Sequence, residues 1–424
     1  MARILVAVMP FAGHIAPMLA VVSAFVARGH SVRVYTGSAY ASRFEAAGAG
    51  MVPWQDAPDF EEHALADTFP PLRGRKGPRQ TLANLEHLFI RTGAAQHADL
   101  LRAWRREPWD LLLADSLSCG AVLAAETTGA PWATLSLVPL TTPSRDLPPA
   151  GLGLRPGRGA PGRLRDALFR RLSRVLTRGL HSAWNETRVS AGLARTPERF
   201  DSAWVSTQLT CVIGLASLDY PRRDLPPTTH YVGAVQAAAP PASALPSWWS
   251  DVATSSVAVV HVTQGTLNTD PRDLIRPTFG GLAGEAVLIV AATGAAGHTT
   301  LPFPTPANAR VAGLLPYDDL LPHTSFMVTN GGWGGVLAAL SHGIPLIVAG
   351  GDIDKPEIAA RLAYRGVAVD LGTGTPTARA VAGAFRRVSG SPSYRSAAQQ
   401  IAEELRRSGG AREVVERCEA LLAP

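Results

Sequence analysis

Short apolar runs, each followed by a turn and then a helix-patterned segment, recur along the whole chain and limit its fold more than any other feature. In the first half, Ile4–Met9, Ser31–Tyr35, Asp110–Ala114 and Trp132–Leu137 read as strands. Helices are expected over Pro17–Arg28, closed by Gly29, through Phe44 to Gly48, over Thr81–Arg106 and over Ala121–Thr128. In the second half, strands are expected at Val257–Val262, Val287–Ala291, Arg310–Ala312, Phe326–Thr329, Leu346–Val348 and Val367–Asp370. A helix is expected at Asp273–Gly281, and two more, split by Gly409-Gly410, close the chain. Continuous apolar strands separated by helices form parallel sheets covered on both faces.

At 424 residues the chain is long for one core, and two domains are the natural division. We expect an α/β protein of two Rossmann-like, doubly wound domains facing across a cleft, with ligands at the carboxyl ends of the strands. Two Pro/Gly-rich breaks mark the organisation. Residues 140–164 are too long for a simple connection and read as a lid or binding loop. Residues 223–247 read as the interdomain linker, which sets domains at 1–222 and 248–408 and leaves 409–424 as a C-terminal helix directed back toward the first domain.

Composition removes several alternatives. Hydrophobic residues make up 46% and charged residues 17%, which suits a packed soluble protein. Cys119, Cys211 and Cys418 are too scattered for a disulfide framework or a structural zinc, a pattern compatible with a cytoplasmic location. Ile4–Met9 is too short for a signal core or a membrane span, and no other stretch is long enough to cross a bilayer. Lysine occurs only at Lys76 and Lys355, so the net charge of +6 is carried by arginine. Eight arginines lie between Arg155 and Arg178 with Asp166 the only acid. Without interleaved aromatics this run reads as a solvated amphipathic helix and not as a nucleic-acid surface.

The chemistry gathers at strand ends. Val328-Thr329-Asn330-Gly331-Gly332-Trp333-Gly334-Gly335 is a strand running into four glycines within five residues and then into a helix. Glycines let backbone approach a phosphate, and the free N–H groups of a helix start point at it. The spacing is neither that of a P-loop nor that of a dinucleotide fingerprint. Asn330 adds an amide donor. Thr263-Gln264-Gly265-Thr266 and Thr293-Gly294 follow two other strands and suit a phosphate or sugar in the same way. Downstream, Asp352 and Asp354 form a D-x-D triplet. With a helix-terminal anion site already supplying positive charge, Asp354 reads as a partner for sugar hydroxyls, with helix capping as a compatible role, and no metal is expected.

In the first half, His14 lies between the first strand and the first helix, and Asp115 ends the Asp110–Ala114 strand. Taking that strand as the fourth, the usual doubly wound order makes it the neighbour of the first. An imidazole held by a carboxylate is a competent general base for an alcohol. His30, His63, His87, His97 and His181 lack such a context and read as structural or surface residues.

Together these motifs resemble the GT-B fold, family 1 inverting glycosyltransferases, especially bacterial enzymes that decorate natural products. The resemblance covers essentially the whole chain. Gly13-His14-Ile15-Ala16-Pro17 is similar to the family's G-H-x-x-P, whose His is the general base, and Asp115 matches the dyad carboxylate. Asn330-Gly331-Gly332-Trp333-Gly334-Gly335 resembles H-G-G-x-G-[ST]. Asp354-Lys355-Pro356-Glu357-Ile358-Ala359-Ala360-Arg361 resembles D-Q-P-x-N-A-x-R. Three departures stand out: Asn330 replaces a phosphate-binding His, Gly335 a Ser or Thr, and Lys355 a Gln that contacts glucose hydroxyls. The last points away from plain UDP-glucose toward another sugar, such as a deoxysugar on TDP.

The resemblance implies a metal-independent enzyme without a cofactor. A TDP- or UDP-sugar would lie on the second domain. Its base would sit near Thr293, Gly294, Leu314 and Leu315. Its diphosphate would sit on Asn330, Gly331, Gly332, Gly334 and Gly335 beside Thr263, Gln264, Gly265 and Thr266, and its sugar by Asp354 and Lys355. A hydrophobic acceptor would lie on the first domain against Trp54, Phe60, Phe89 and Leu137, in a monomer or homodimer. Two other readings compete: a nucleotide-sugar 2-epimerase, which needs no acceptor pocket, and a catalytically silent nucleotide-binding partner protein, which would not need His14 and Asp115. An oxidoreductase lacks the G-x-G-x-x-G after its first strand.

Overall fold

The computed structural model describes residues 1–75, 77–236, 245–265, 270–295 and 297–422. Seven strands form a first sheet: β1 (Arg3–Ala7), β2 (Ser31–Thr36), β3 (Gly50–Pro53), β4 (Leu111–Asp115), β5 (Trp132–Ser136), β6 (Thr210–Ile213) and β7 (Thr229–Gly233). Six form a second: β8 (Ala258–Thr263), β9 (Val287–Ala292), β10 (Ala309–Ala312), β11 (Thr324–Thr329), β12 (Leu346–Val348) and β13 (Ala368–Asp370). Their orders are β3-β2-β1-β4-β5-β6-β7 and β10-β9-β8-β11-β12-β13. The ladders between these strands are parallel. Each sheet is covered by helices on both faces, and strands such as Leu111–Asp115 and Val287–Ala292 are buried along their whole length, as their unbroken apolar sequences require.

The doubly wound order sets the site. In the first sheet β1 pairs with both β2 and β4, so the chain reverses its winding beside β1. Ala7 of β1 faces Ala114 of β4, which brings the segment after β1 next to Asp115. In the second sheet Thr329 of β11 faces Thr263 of β8, which brings the glycine loop next to Gln264-Gly265.

Several expectations need correction. β3, β6 and β7 have no counterpart in the sequence reading: Gly50–Pro53 is a short run bounded by glycine and proline, and Thr210–Ile213 and Thr229–Gly233 are short and mix polar with apolar residues. β7 lies inside 223–247, so the connection between the sheets begins only after Gly233; residues 237–244 lie outside the described residues. Thr81–Arg106 is not one helix. It divides into Gly77–Ala83, a wider π-helical stretch Asn84–Ile90, and Gly93–Arg106. The loop expected over 140–164 ends at Arg158, where an 18-residue helix, Gly159–Leu176, begins. Its Pro161 falls in the first turn, where the missing N–H costs nothing. That helix is the amphipathic arginine segment, but it rests on the protein by little more than Asp166. Leu164, Leu168, Leu172 and Leu176 face outward with the arginines.

The largest apolar cluster runs through both halves, from Val6, Ile15 and Leu135 through Leu215 and Trp333 to Ile358 and Leu362. The last helix, Gly410–Leu422, buries Val414, Val415 and Cys418 in it and packs on the Ala12–Ala27 helix. Arg28 and His30 fix its far end, reaching Glu419 at 2.6 and 2.8 Å. Among the described residues no helix is long and apolar enough to cross a membrane.

Within β8, His261 is fully buried, its Nδ1 donates to the Val290 carbonyl at 2.9 Å, and its Nε2 finds no partner among the described residues. Burial pushes this imidazole down to about 4, against a small opposing pull from the Val290 hydrogen bond. The unfolded chain takes up this proton near pH 6.5, so between about 6.5 and 4 the unfolded state binds more protons and stability falls as pH falls. The loss should reach roughly 3 kcal/mol. Urea unfolding between pH 7 and 4.5 should show it, and His261→Phe should give a distinctly flatter pH curve.

Candidate active site

The first helix, Ala12–Ala27, starts directly after β1, and His14 sits in its first turn with its N–H bonded to the Phe11 carbonyl at 2.8 Å. Asp115, the last residue of β4, is fully buried and accepts three hydrogen bonds: Met9 N–H at 2.8 Å, Leu117 N–H at 2.6 Å and His14 Nδ1–H at 2.9 Å. A carboxylate only accepts, so Nδ1 carries the proton and the Nε2 lone pair is left free. Two backbone amides share the burial cost of the carboxylate and hold it in place. The side chain of His14 keeps 18% exposure while that of Asp115 keeps none. The arrangement therefore offers one accessible basic nitrogen backed by a fixed anion, which can take a proton from a hydroxyl and stabilise the resulting imidazolium.

Aromatic side chains cluster beside this pair. Phe11 lies 5.4 Å from the His14 ring, 5.3 Å from Phe60 and 6.1 Å from Phe89, and Trp54 lies 5.9 Å from Phe60. Trp54, Phe60 and Phe89 thus come together near His14, but Phe60 and Phe89 are buried in a cluster that also holds Phe69 and Trp184. Phe11, which the sequence reading passed over, is the member that touches the imidazole. Its signal was its place between the first strand and Gly13-His14. Leu137 belongs elsewhere. It is buried with Leu209, Ile213 and Leu215 in the cluster shared by the two sheets.

On the second sheet the glycine loop is built from local caps. The Trp333–Ser341 helix starts at Trp333 with Gly332 as its N-cap. The N–H of Gly331 donates to Thr329 Oγ1 and that of Gly332 to Asn330 Oδ1, both at 3.2 Å. The amide groups expected at Gly331 and Gly332 are therefore spent within the loop. The N–H groups that lead the helix with no intrahelical acceptor are those of Trp333, Gly334 and Gly335, so an anion at this helix start would meet those three and not Gly331 or Gly332. Asn330 Nδ2 donates one hydrogen to the Gln264 carbonyl, which ties the loop to the end of β8 and leaves the second amide hydrogen. The segment also backs onto Lys355: a Cβ on Gly331 would lie 3.8 Å from Lys355 Cβ.

Other expected donor contacts divide. Thr263 ends β8 and its hydroxyl bonds Tyr317, whose phenol burial pushes up to about 12. Gly265 adjoins the Asn330 amide. Gln264 is buried, its Nε2 donating to the Asp270 carbonyl at 2.6 Å and its Oε1 accepting from Leu274 and Ile275 at 3.1 and 3.0 Å. Its side chain anchors the following helix and is not offered to a diphosphate, a correction that follows from helix starts needing acceptors. Thr266 lies outside the described residues. Thr293 Oγ1 donates to the His298 carbonyl at 2.9 Å, and Gly294 N–H to Gly313 at 2.9 Å. Leu314 is exposed, whereas Leu315 is buried with Val290 and Leu320 and has no face for a base. Lys355 Nζ sits 3.5 Å from Asp352 and 3.9 Å from Asp354, so the D-x-D triplet holds an ammonium. Among the described residues no group of three or more His, Cys, Asp and Glu side chains could hold a metal ion.

Three contacts join the carboxyl edges of the two sheets. Trp333 is buried and its Nε1 donates to the Ile213 carbonyl at the end of β6, at 2.9 Å. Its ring lies on Gly214, whose φ of +122° and missing side chain are both needed, since a Cβ there would fall 2.7 Å from the indole. Arg361 of the Lys355–Arg365 helix donates to Asp219 at 2.9 Å and stacks on Tyr220 at 4.7 Å. Burial alone would raise the Asp219 carboxyl, but the Arg361 and Arg222 guanidiniums outweigh it and hold it below the usual range. Glu357 of the same helix accepts from the loop after β5, at Gly151 and Gly153. The sequence motif contained Arg361 and Glu357 but gave no sign of what they would meet. His14 stands on this same carboxyl edge, at β1, three strands from β6 and about 14 Å along it at ordinary strand spacing.

Comparison with known proteins agrees with this architecture. A family described as "Erythromycin biosynthesis protein CIII-like, C-terminal domain" matches residues 279–421. The 4'-demethylrebeccamycin synthase of Lentzea aerocolonigenes is 39% identical over 405 residues, covering 95% of each chain. UDP-glucosyltransferase B1 of Starmerella bombicola is 32% identical and covers 93% of each chain. Among solved structures, the glycotransferase of kitacinnamycin superposes with a TM-score of 0.77 at 19% identity, over 100% of this chain and 99% of that one; at that identity the likeness speaks for the fold.

The seam gives a prediction of its own. Gly214→Ala should cost about 2 kcal/mol or more, from positive φ and collision with the indole. Trp333→Ala should cost about 3–5 kcal/mol. In the Trp333→Ala background, Gly214→Ala should cost less, because the collision is gone. Urea unfolding of the four proteins reads the cycle.

Proposed function

The chain belongs to the GT-B fold, family 1 glycosyltransferases of natural-product type, and from that premise we propose that it is an inverting enzyme with His14 as general base. In this reading a TDP-deoxysugar or UDP-sugar binds the second sheet, and a hydrophobic natural-product hydroxyl approaches the first sheet beneath the loop after β5. His14 Nε2 takes the hydroxyl proton as the acceptor oxygen forms its bond to the anomeric carbon from the face opposite the leaving group. The bond from that carbon to the diphosphate oxygen breaks, the electron pair leaves with the nucleotide, and the configuration inverts. Asp115 stabilises the imidazolium and keeps the proton on Nδ1. The amides of Trp333, Gly334 and Gly335, together with the free Asn330 hydrogen, take up charge on the leaving diphosphate. No metal enters the reaction.

The observation that supports this reading is the His14–Asp115 hydrogen bond at the carboxyl edge of a sheet joined, edge to edge, to the sheet that carries the glycine loop. The Asn330 amide does not titrate near neutrality, so its contribution to diphosphate binding is independent of pH there. Neither a 2-epimerase nor a silent nucleotide-binding partner is favoured by the relatives, which include two UDP-glucosyltransferases.

His14→Ala should lower kcat on the natural acceptor by about 10²–10⁴-fold, with TDP or UDP affinity by calorimetry essentially unchanged. Asp115→Ala should lower it less. Full activity of His14→Ala would end the base assignment.

A further inference from the structure

The loop after β5 ends in a seat that the reaction above does not use. Gly151 and Gly153 both donate their N–H groups to Glu357 Oε1, at 2.9 and 2.8 Å. The other carboxylate oxygen of Glu357 pairs with Arg361. Glu357 is nearly fully buried, and so are Arg361 and Asp219, which continues the chain of contacts. Arg361 also donates to the Leu140 carbonyl at 3.3 Å, as Arg222 does, so both ends of the loop refer to one guanidinium–carboxylate network. Gly153 fits its seat only as glycine: its φ is +60°, and a Cβ would stand 3.1 Å from Pro356.

These contacts cross between the domains. The loop emerges from β5 on the first sheet, whereas Glu357 lies in the first turn of the Lys355–Arg365 helix on the second. Asp354 and Lys355, assigned above to the donor sugar, lie three and two residues before it. A buried carboxylate with two backbone amides on one oxygen and a guanidinium on the other is directional, and it is costly to leave half-made.

We propose that Glu357 is a positioning residue for the acceptor: it seats the loop over residues 140–154 on the donor-sugar helix, so the acceptor wall takes its shape only from the partner domain. The proposal rests on the reading above for the assignment of loop and helix to acceptor and sugar. It adds that acceptor binding, and not donor binding, is governed from position 357. Truncating Glu357 frees two loop amides but leaves Arg361 still paired with Asp219. The loop then loosens while the glycine loop and the Thr263–Asn330 cradle remain as they are.

The test uses the full chain and three readouts. In Glu357→Ala, amide hydrogen exchange of the peptide spanning 147–155 should quicken by 10-fold or more. The KM for the acceptor should rise about 10-fold or more, and the Kd for TDP or UDP should stay within about 3-fold. Gly153→Ala disturbs the same contact from the loop side and should reproduce the pattern, and the double variant should be no worse than the poorer single one. If Glu357→Ala does not fold, Gly153→Ala carries the measurement. Unchanged exchange at the loop overturns the proposal. So does an acceptor KM that does not move, or a nucleotide Kd that weakens in parallel, which marks a merely structural role. Should the chain transfer no sugar, the exchange and nucleotide-binding arms still read the latch, and acceptor affinity is then read by direct titration, so failure of the activity and failure of the latch are told apart.

Discussion

The buried guanidinium of Arg361 fixes how the two halves meet. A charge this deep is tolerated only when it is fully surrounded by partners, and its partners come from three places: Asp219 between β6 and β7 of the first sheet, Glu357 on its own helix, and the Leu140 carbonyl in the loop after β5. Replacing such a network with apolar groups can be neutral, but removing Arg361 leaves Glu357 a buried carboxylate without its cation. The network therefore contributes definition more than net stability: it admits one relation between the sheets. In that relation Trp333 reaches Ile213, the glycine loop faces the first sheet, and His14 lies on the edge the second sheet looks onto.

Much of this was legible in residues whose chemistry is local. Ile4–Met9 and Asp110–Ala114 had to be neighbouring buried strands, and that alone brought His14 to Asp115. The glycine loop could be read as suited to an anion, because glycines and a free helix start favour one, although such a loop also serves to pack a helix on a sheet. What could not be read was which donors remain after the loop has satisfied itself. Thr329 and Asn330 take the N–H groups of Gly331 and Gly332, so the available amides begin at Trp333. Gln264 looked like a ligand by position but is consumed by the helix behind it. Leu137 and Leu315 are apolar residues near the right strand ends, yet packing against Ile213 and Val290 claims them. β3, β6 and β7 lacked the unbroken apolar run that marks an interior strand. Residues that act across the seam, Trp333, Glu357 and Asp219, carry no local signature, because their partners are distant in sequence.

The three departures from the family pattern now have surroundings. Asn330 binds backbone through both ends of its amide, which a histidine could also do, but without a titrating group beside the diphosphate. Gly335 has the Tyr317 hydroxyl 3.6 Å from where a Cβ would be, so the space of a Ser or Thr side chain adjoins a phenol. Lys355 is held by Asp352 and Asp354, so its side chain is aimed by two carboxylates and brings a cation where a glutamine would bring a neutral amide.

The contact between Trp333 and Gly214 also bears on how such sequences can drift. An indole fits over position 214 only while that residue has no side chain, and a residue with a side chain at 214 is tolerated only if the aromatic at 333 shrinks. The two sites lie on different halves of the chain and share no secondary element. They should therefore change together through descent, and exchanging whole lobes between relatives to recombine donor and acceptor preferences should fail unless both positions travel as a matched pair.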